Sequence, residues 1–328
     1  MKTAAKHYGR VALLMAGILL LGSGLTILCG QGMPASSDTC TVVTTTYPLY
    51  LAAENVLGDI PGVHLENLTG SATGCLHDYQ LSPANRIQLE RAKLVLLNGG
   101  GAEVFLEDVL PSLKAKVCNT GAGIGFLIST HEHHHNGGDD GDDGDDHDGD
   151  GDHDHEETAY NEHIWVSPTR YARQVRAVTA ALIELLPEHA EELTAHGEAY
   201  AAAVEAVGDE LKAAAATLPS KKCVIFHESL AYLADDLGLT VVAALNVGEE
   251  SGVSAGDLAT AQRAVEEDPT ALLLYDDQYT VRYSALDRAV PASHAPALDT
   301  AVKGKGTARD WLDAMEKNVA LLRGVTEK

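Results

Sequence analysis

From Cys40 onward, short aliphatic and β-branched runs alternate with stretches whose apolar residues recur every three to four positions. That alternation restricts the chain to α/β architecture, because each crossover helix returns the backbone to a parallel strand. Strands are predicted over 41–46, 63–68, 94–98 and 115–119, with helices near 50–57 and 83–91. The pattern stops, then resumes with strands at 223–226, 240–244 and 271–275 and helices near 230–236, 255–266 and 307–322. Two lobes follow, each a mostly parallel sheet flanked by helices. Between them, 188–218 is rich in alanine, with Gly197 and Gly208 as its only breakers. As one helix it spans roughly 45 Å at about 1.5 Å per residue, enough to join two lobes rigidly. The expected division is 1–29 as a leader, 38–187 as the first lobe, 188–218 as the linking helix and 219–328 as the second lobe.

The interruption is a segment of unusual chemistry, 131–157, with seven histidines, thirteen acidic residues and no lysine or arginine. So few apolar groups cannot offset the entropy of ordering, which predicts a mobile loop inside the first lobe. His131, His133, His134, His135, His147, His153 and His155 offer imidazoles, and the carboxylates around them suit harder cations, so the loop reads as an auxiliary collector of divalent metal. Asp146, Asp148, Asp150, Gly151 and Glu157 match the spacing of an EF-hand calcium loop. In an Asp/Gly repeat such a match is cheap, and no amphipathic helix leads into it.

The net charge of the 328 residues is −25, and outside the loop the remainder carries about −12 with no basic stripe. Nucleic acid and anionic lipid are therefore poor partners, and cations are favoured ones. Lys2, Lys6 and Arg10 precede an apolar run over 11–28 that ends at Cys29, the layout of a secretory signal, a lipoprotein signal or a retained anchor. Each of these places the rest of the chain outside the cytoplasm. Leu28 occupies a position where lipoprotein signals usually carry a smaller residue. With Cys29 lipidated, Cys40, Cys75, Cys118 and Cys223 form an even set in an oxidising compartment, with three possible pairings.

Ligands of open α/β sheets gather at the carboxyl ends of strands, which singles out three histidines. His77 follows the 63–68 strand, His163 lies in Asn161-Glu162-His163-Ile164-Trp165, and His227 ends the 223–226 strand. Glu162, Glu228 and Asp78 are candidates to orient the rings. His7, His64, His189, His196 and His294 lack such settings and are expected at the surface. A catalytic zinc hydrolase also uses three histidines, but the chain has no H-E-x-x-H motif.

Thr46-Tyr47-Pro48-Leu49, His77-Asp78-Tyr79, Asn98-Gly99, His163-Ile164-Trp165-Val166-Ser167-Pro168 and His227-Glu228-Ser229-Leu230-Ala231-Tyr232-Leu233 occur in that order. Together they resemble the motifs of the zinc-type substrate-binding proteins of bacterial ABC importers, over nearly everything from Cys40 onward. The resemblance implies an extracytoplasmic, monomeric, non-enzymatic receptor that holds Zn²⁺ between two lobes and delivers it to a membrane permease. It implies His77, His163 and His227 as ligands. Manganese-selective relatives usually carry Glu at the third position, so His227 favours zinc; a manganese receptor or a surface adhesin of the same fold is the alternative. The family's oxygen ligand falls in a Leu-Asp motif, matched by Leu298-Asp299. Because Thr300-Ala301 and Asp276-Asp277-Gln278 depart from the family pattern, Asp276 and water compete with Asp299 for the fourth position.

Overall fold

The computed structural model describes residues 39–70, 76, 79–129, 159–247 and 253–325. The expectations for 1–29, His7, Cys75, His77, Asp78 and the 131–157 loop lie outside the described residues.

The first sheet contains β1 (Cys40–Thr44), β2 (Val63–Asn67), β3 (Leu94–Leu97) and β4 (Lys116–Asn119), in the order β2-β1-β3-β4. β3 runs parallel to both of its neighbours and is buried along its whole length, as its four consecutive aliphatic residues require. Helix α1 (Tyr47–Leu57) starts three residues ahead of the sequence expectation. Thr46 caps it by accepting from the Leu49 amide, and Pro48 fits the first turn, where no amide partner is lost. α2 (Pro83–Arg91) begins with a reciprocal cap between Ser82 and Asn85. Val43, Leu68, Leu89, Val95 and Leu106 form the core of this lobe.

A two-stranded antiparallel pair, β5 (Leu127–Ile128) and β6 (Tyr160–Asn161), frames the two ends of the 130–158 segment. It leads into α3 (Pro168–Leu185) and then α4 (Ala190–Ala216). At 27 residues, α4 is about 40 Å long. It packs on α3, on α1 and on the C-terminal helix α8 (Asp310–Arg323), which gives it anchorage along its length.

The two glycines within α4 are close-approach positions. A Cβ on Gly197 would lie 2.1 Å from Thr179 Oγ1 and 2.8 Å from its methyl carbon, and one on Gly208 would lie 2.8 Å from Pro168 Cβ. Gly197→Ala gains about 1 kcal/mol of helix propensity but forces α3 and α4 apart, an overpacking that costs about 1–3 kcal/mol. The variant is expected to unfold at lower urea than wild type, and Thr179→Ala in the same chain should reverse the loss. Greater stability in the single variant would refute the packing account.

The second sheet holds β7 (Lys222–Ile225), β8 (Thr240–Ala244), β9 (Leu272–Asp276) and β10 (Ala297–Leu298), in the order β10-β9-β7-β8, all parallel. α5 (Leu230–Asp236), α6 (Ala255–Glu267) and the short α7 (Ser284–Asp287) complete this lobe. Phe226 stacks on Tyr275 at 3.7 Å between ring centroids, at the centre of its core. In each sheet the strand order reverses beside the first strand, β1 against β3 and β7 against β9, so a crevice opens at their carboxyl ends.

Two details depart from expectation. His294 is buried, with Nδ1 at 3.1 Å from the Thr270 carbonyl, because the turn Ala292–His294 folds inward between α7 and β10. Cys118 and Cys223 are unbridged and belong to different sheets. Burial pushes the Cys223 thiol up to about 12, so it behaves as a small core residue.

Candidate metal centre

His163 and His227 reach one place from different elements. His227 leaves the carboxyl end of β7 one residue after Phe226; His163 follows β6 and precedes the single turn Ile164–Val166. Both are buried, and their rings meet edge to face with centroids 5.1 Å apart. Trp165 packs beside His163 at 5.2 Å.

Each ring is oriented from behind through Nδ1. The Asn161 side-chain oxygen lies 2.9 Å from His163 Nδ1 and also accepts the His163 amide at 3.1 Å. An amide oxygen only accepts, so Nδ1 carries the proton and Nε2 keeps its lone pair. His227 Nδ1 lies 2.8 Å from Ser229 Oγ, which in turn stands 3.1 Å from Asp276 Oδ2. The Ser229 amide donates to the same nitrogen at 3.2 Å. Nε2 of His227 lies 3.4 Å from the Tyr279 hydroxyl. Such relays fix ring orientation and raise ligand basicity.

The carboxylates differ in setting. Asp276, at the end of β9, accepts from Ser229, from the Gln278 amide and side chain at 3.0 Å each, and from Thr300 Oγ1 at 3.2 Å. Burial pushes its carboxyl up and these donors pull it back. It stands behind His227, 3.8 Å from Nδ1. Asp299, just beyond β10, accepts the Ala301 amide through Oδ1 at 3.0 Å, and its Oδ2 lies 3.3 Å from Lys317 Nζ. The same ammonium meets Asp277 at 2.6 Å. Glu162 and Glu228 are buried beside His163. One donor atom from each of the three lies within 4.8 Å of the others, with Glu162 Oε1 3.8 Å from His163 Nε2. Glu228 Oε2 accepts from Ser129 Oγ at 2.8 Å.

Behind these residues stand Glu103, which carries no signal of its own in the sequence, and Asn98 and Tyr232, which belong to the ordered motifs. Glu103 is buried at the carboxyl ends of β1 and β3, where it accepts from Thr45 Oγ1 at 2.6 Å, the Asn98 amide at 2.7 Å and the Gly99 amide at 3.0 Å. Burial raises its carboxyl pKa and these three bonds oppose the rise. Asn98, fixed by Glu103 and by Gln174 Nε2 at 3.0 Å, donates to the Glu162 carbonyl at 2.8 Å. From the other lobe, the Tyr232 hydroxyl donates to the Asn161 carbonyl. The segment 161–163 is thus held from both sheets. The Ser129 amide bonds to the Ala159 carbonyl at 2.9 Å, which pins the two ends of the acidic segment together two to four residues from Asn161 and His163.

Comparison with known proteins agrees with this architecture. The chain is 26% identical over 290 residues to a zinc-binding protein AdcA of Streptococcus pyogenes serotype M18, covering 87% of this chain and 56% of that one. It is 24% identical over 326 residues to a zinc-binding lipoprotein AdcA of Streptococcus pneumoniae serotype 4, covering 97% and 61%. The chain thus spans little more than half the length of these curated relatives. A crystal structure of a ZnuA 138–173 deletion mutant with zinc bound shares the fold, with a TM-score of 0.67 at 22% identity over 88% of this chain and 99% of that one. The family model that describes ZnuA, the periplasmic component A of a zinc-uptake complex, matches residues 42–325, and the chain belongs to that family.

Proposed function

We propose that the protein is an extracytoplasmic zinc receptor that binds Zn²⁺ between its two lobes and hands it to an ABC-type membrane permease. The observation that carries this reading is the convergence of His163 and His227, buried rings 5.1 Å apart that are oriented through Nδ1 by the Asn161 side-chain oxygen and by Ser229. Neutral imidazole nitrogens in a tetrahedral set suit zinc, at about 2.0–2.1 Å per Zn–N bond. His77 is assigned as the third nitrogen ligand on its motif, and an oxygen donor completes the set. Zinc is cargo here. A buried pair of rings backed by Asn161 and by Ser229 with Asp276 suits retention and release of an ion, so no catalytic role is assigned. The receptor is read as a monomer tethered through residues 1–29, either by lipid on Cys29 or by a retained apolar segment.

The histidines of 131–157 are assigned to weaker, auxiliary zinc sites. A Gly-rich backbone cannot preorganise ligands, so each ion bound there must also order chain, which lowers affinity per site. The pinned neck at Ser129 and Ala159 puts the root of that segment beside Glu228 and Asn161. Elemental analysis and calorimetry of the full chain and of a 131–157 deletion test both assignments. One tight zinc is expected in each protein, with additional weak zinc only in the full chain. Loss of the tight ion on deletion would move the primary ligands into the segment, and equal stoichiometry would remove it as a zinc binder.

A further inference from the structure

We propose that Arg170 and Asp236 are positioning residues that latch the two lobes together beside the metal centre and slow the release of zinc; this rests on the receptor reading above. Each of the two histidines stands at the root of a helix. His163 is followed by one turn and then by α3, and His227 is followed by Ser229 and then by α5. The two helices belong to different lobes, so a contact that fixes α5 against the start of α3 also fixes the distance between the rings.

Asp236, in the last turn of α5, makes that contact. Its Oδ2 accepts the Ser167 hydroxyl at 2.7 Å and the Thr169 amide at 3.0 Å, at the N-terminus of α3, where the helix dipole favours an anion. Ser167 Oγ also accepts the Arg170 amide at 3.0 Å, so the cap of α3 and the bond between the lobes share one atom. The Arg170 guanidinium closes the contact, with Nη1 3.5 Å from Asp236 Oδ1 and Nη2 2.8 Å from Asp235 Oδ2, while Nε donates to the Gly125 carbonyl at 3.2 Å. It also lies over the Tyr232 ring, 4.9 Å from its centre. Tyr232, Asp235 and Asp236 are spaced by three and four residues and so share one face of α5. The Tyr232 hydroxyl bonds the Asn161 carbonyl and accepts the Leu127 amide at 2.9 Å, which extends the fastening to β5 and β6.

The central pair is shielded from water: the Arg170 side chain is 16% exposed and that of Asp236 is 7% exposed. Removing one partner of such a pair leaves the other without its counter-charge, which costs far more than the loss of a surface ion pair. None of these contacts uses a ring of His163 or His227, so the latch acts in the metal-free and the loaded protein alike. A receptor held closed binds zinc with its intrinsic affinity, whereas one that opens has its apparent affinity reduced by the fraction of molecules still closed. For zinc to leave, His227 must part from His163, and α5 must then part from α3.

Hydrogen exchange of the metal-free full chain and chelator-driven release of zinc from the loaded chain test the latch. Asp236→Asn keeps the side-chain shape and removes the charge, and Arg170→Gln removes the guanidinium. In each variant the amides of 161–170 and 230–236 are expected to exchange faster than in wild type, with those of β3 and β7 unchanged, and added zinc should restore most of the protection. The last zinc to leave should do so faster by on the order of tenfold or more, since losing one partner of a buried charge pair acts on the off-rate. Arg170→Lys keeps the charge without the planar fork and should recover part of the slow rate. Wild-type exchange in both segments, wild-type release from both variants, or exchange that rises equally in β3 and β7 would overturn the latch. A wild-type chain that holds no slowly released zinc would overturn the receptor reading instead, while the metal-free exchange would still show whether the lobes are fastened.

Discussion

His227→Ala is expected to reduce zinc affinity more than any other single change described here, by well over about a hundredfold, since removal of an outer-shell partner alone costs about 10–100-fold. The ring is wholly buried at the end of β7, held by Ser229 and Asp276 and set against His163, so no neighbouring nitrogen can take its place. His163→Ala should lose a comparable factor. Ser229→Ala isolates the orienting relay: the imidazole remains but loses the hydroxyl that orients it through Nδ1, and a smaller loss of about 10–100-fold is expected. Because zinc binds only the neutral imidazole, protons compete with it and wild-type affinity should fall as the solution is acidified. That decline should be shallower in His227→Ala, which has one fewer ring to deprotonate. Competition titrations at a series of pH values read both effects. Wild-type affinity in His227→Ala, or an identical pH slope in the two proteins, would exclude this ring from the site.

The placement of His227 was legible because it directly follows the aliphatic run 223–226 and α/β sheets gather ligands at strand ends, whereas His163 stood out only through its motif, since the strand before it has two residues. The strand from 94 was legible for a related reason, since burial on both faces leaves an unbroken apolar run, and Ser82 with Pro83 writes the start signal of the helix that follows. α3 was within reach, since Tyr171, Val175, Val178 and Leu182 keep helical spacing, yet its polar face of Arg170, Arg173 and Arg176 masked the pattern. β5, β6 and β10 have two residues each, too few for any periodicity to show. Glu103 and the burial of His294 were not legible at all. Their roles arise from pairings across β1 and β3, and between a turn and Thr270, that only the folded chain creates.

Trp311→Ala should be the most destabilising substitution outside the metal centre. Trp311 is fully buried on α8, stacks on Tyr171 at 4.5 Å, and donates Nε1–H to the Trp165 carbonyl at 3.0 Å. Trp165 in turn donates to the Thr300 carbonyl at 3.0 Å, so one chain of contacts runs from α3 through the His163 segment to the second sheet. Truncating the indole leaves a large cavity, about 3–5 kcal/mol, and removes the donor from a buried carbonyl, about 1–3 kcal/mol more. Trp311→Phe keeps most of the stack, loses only the donor and part of the ring, and should fall well short of the alanine variant. α8 follows the second sheet in sequence yet packs on α4 and α1, and Tyr47 of α1 bonds Asp310 at its first turn at 2.5 Å. Loosening this clasp should therefore separate the unfolding of the two lobes as well as lower stability. Calorimetric melting of the metal-free protein reads both: one cooperative transition in wild type is expected to become lower and broader, or double, in Trp311→Ala. A single sharp transition within about 1 kcal/mol of wild type would mean that the helix does not join the lobes energetically.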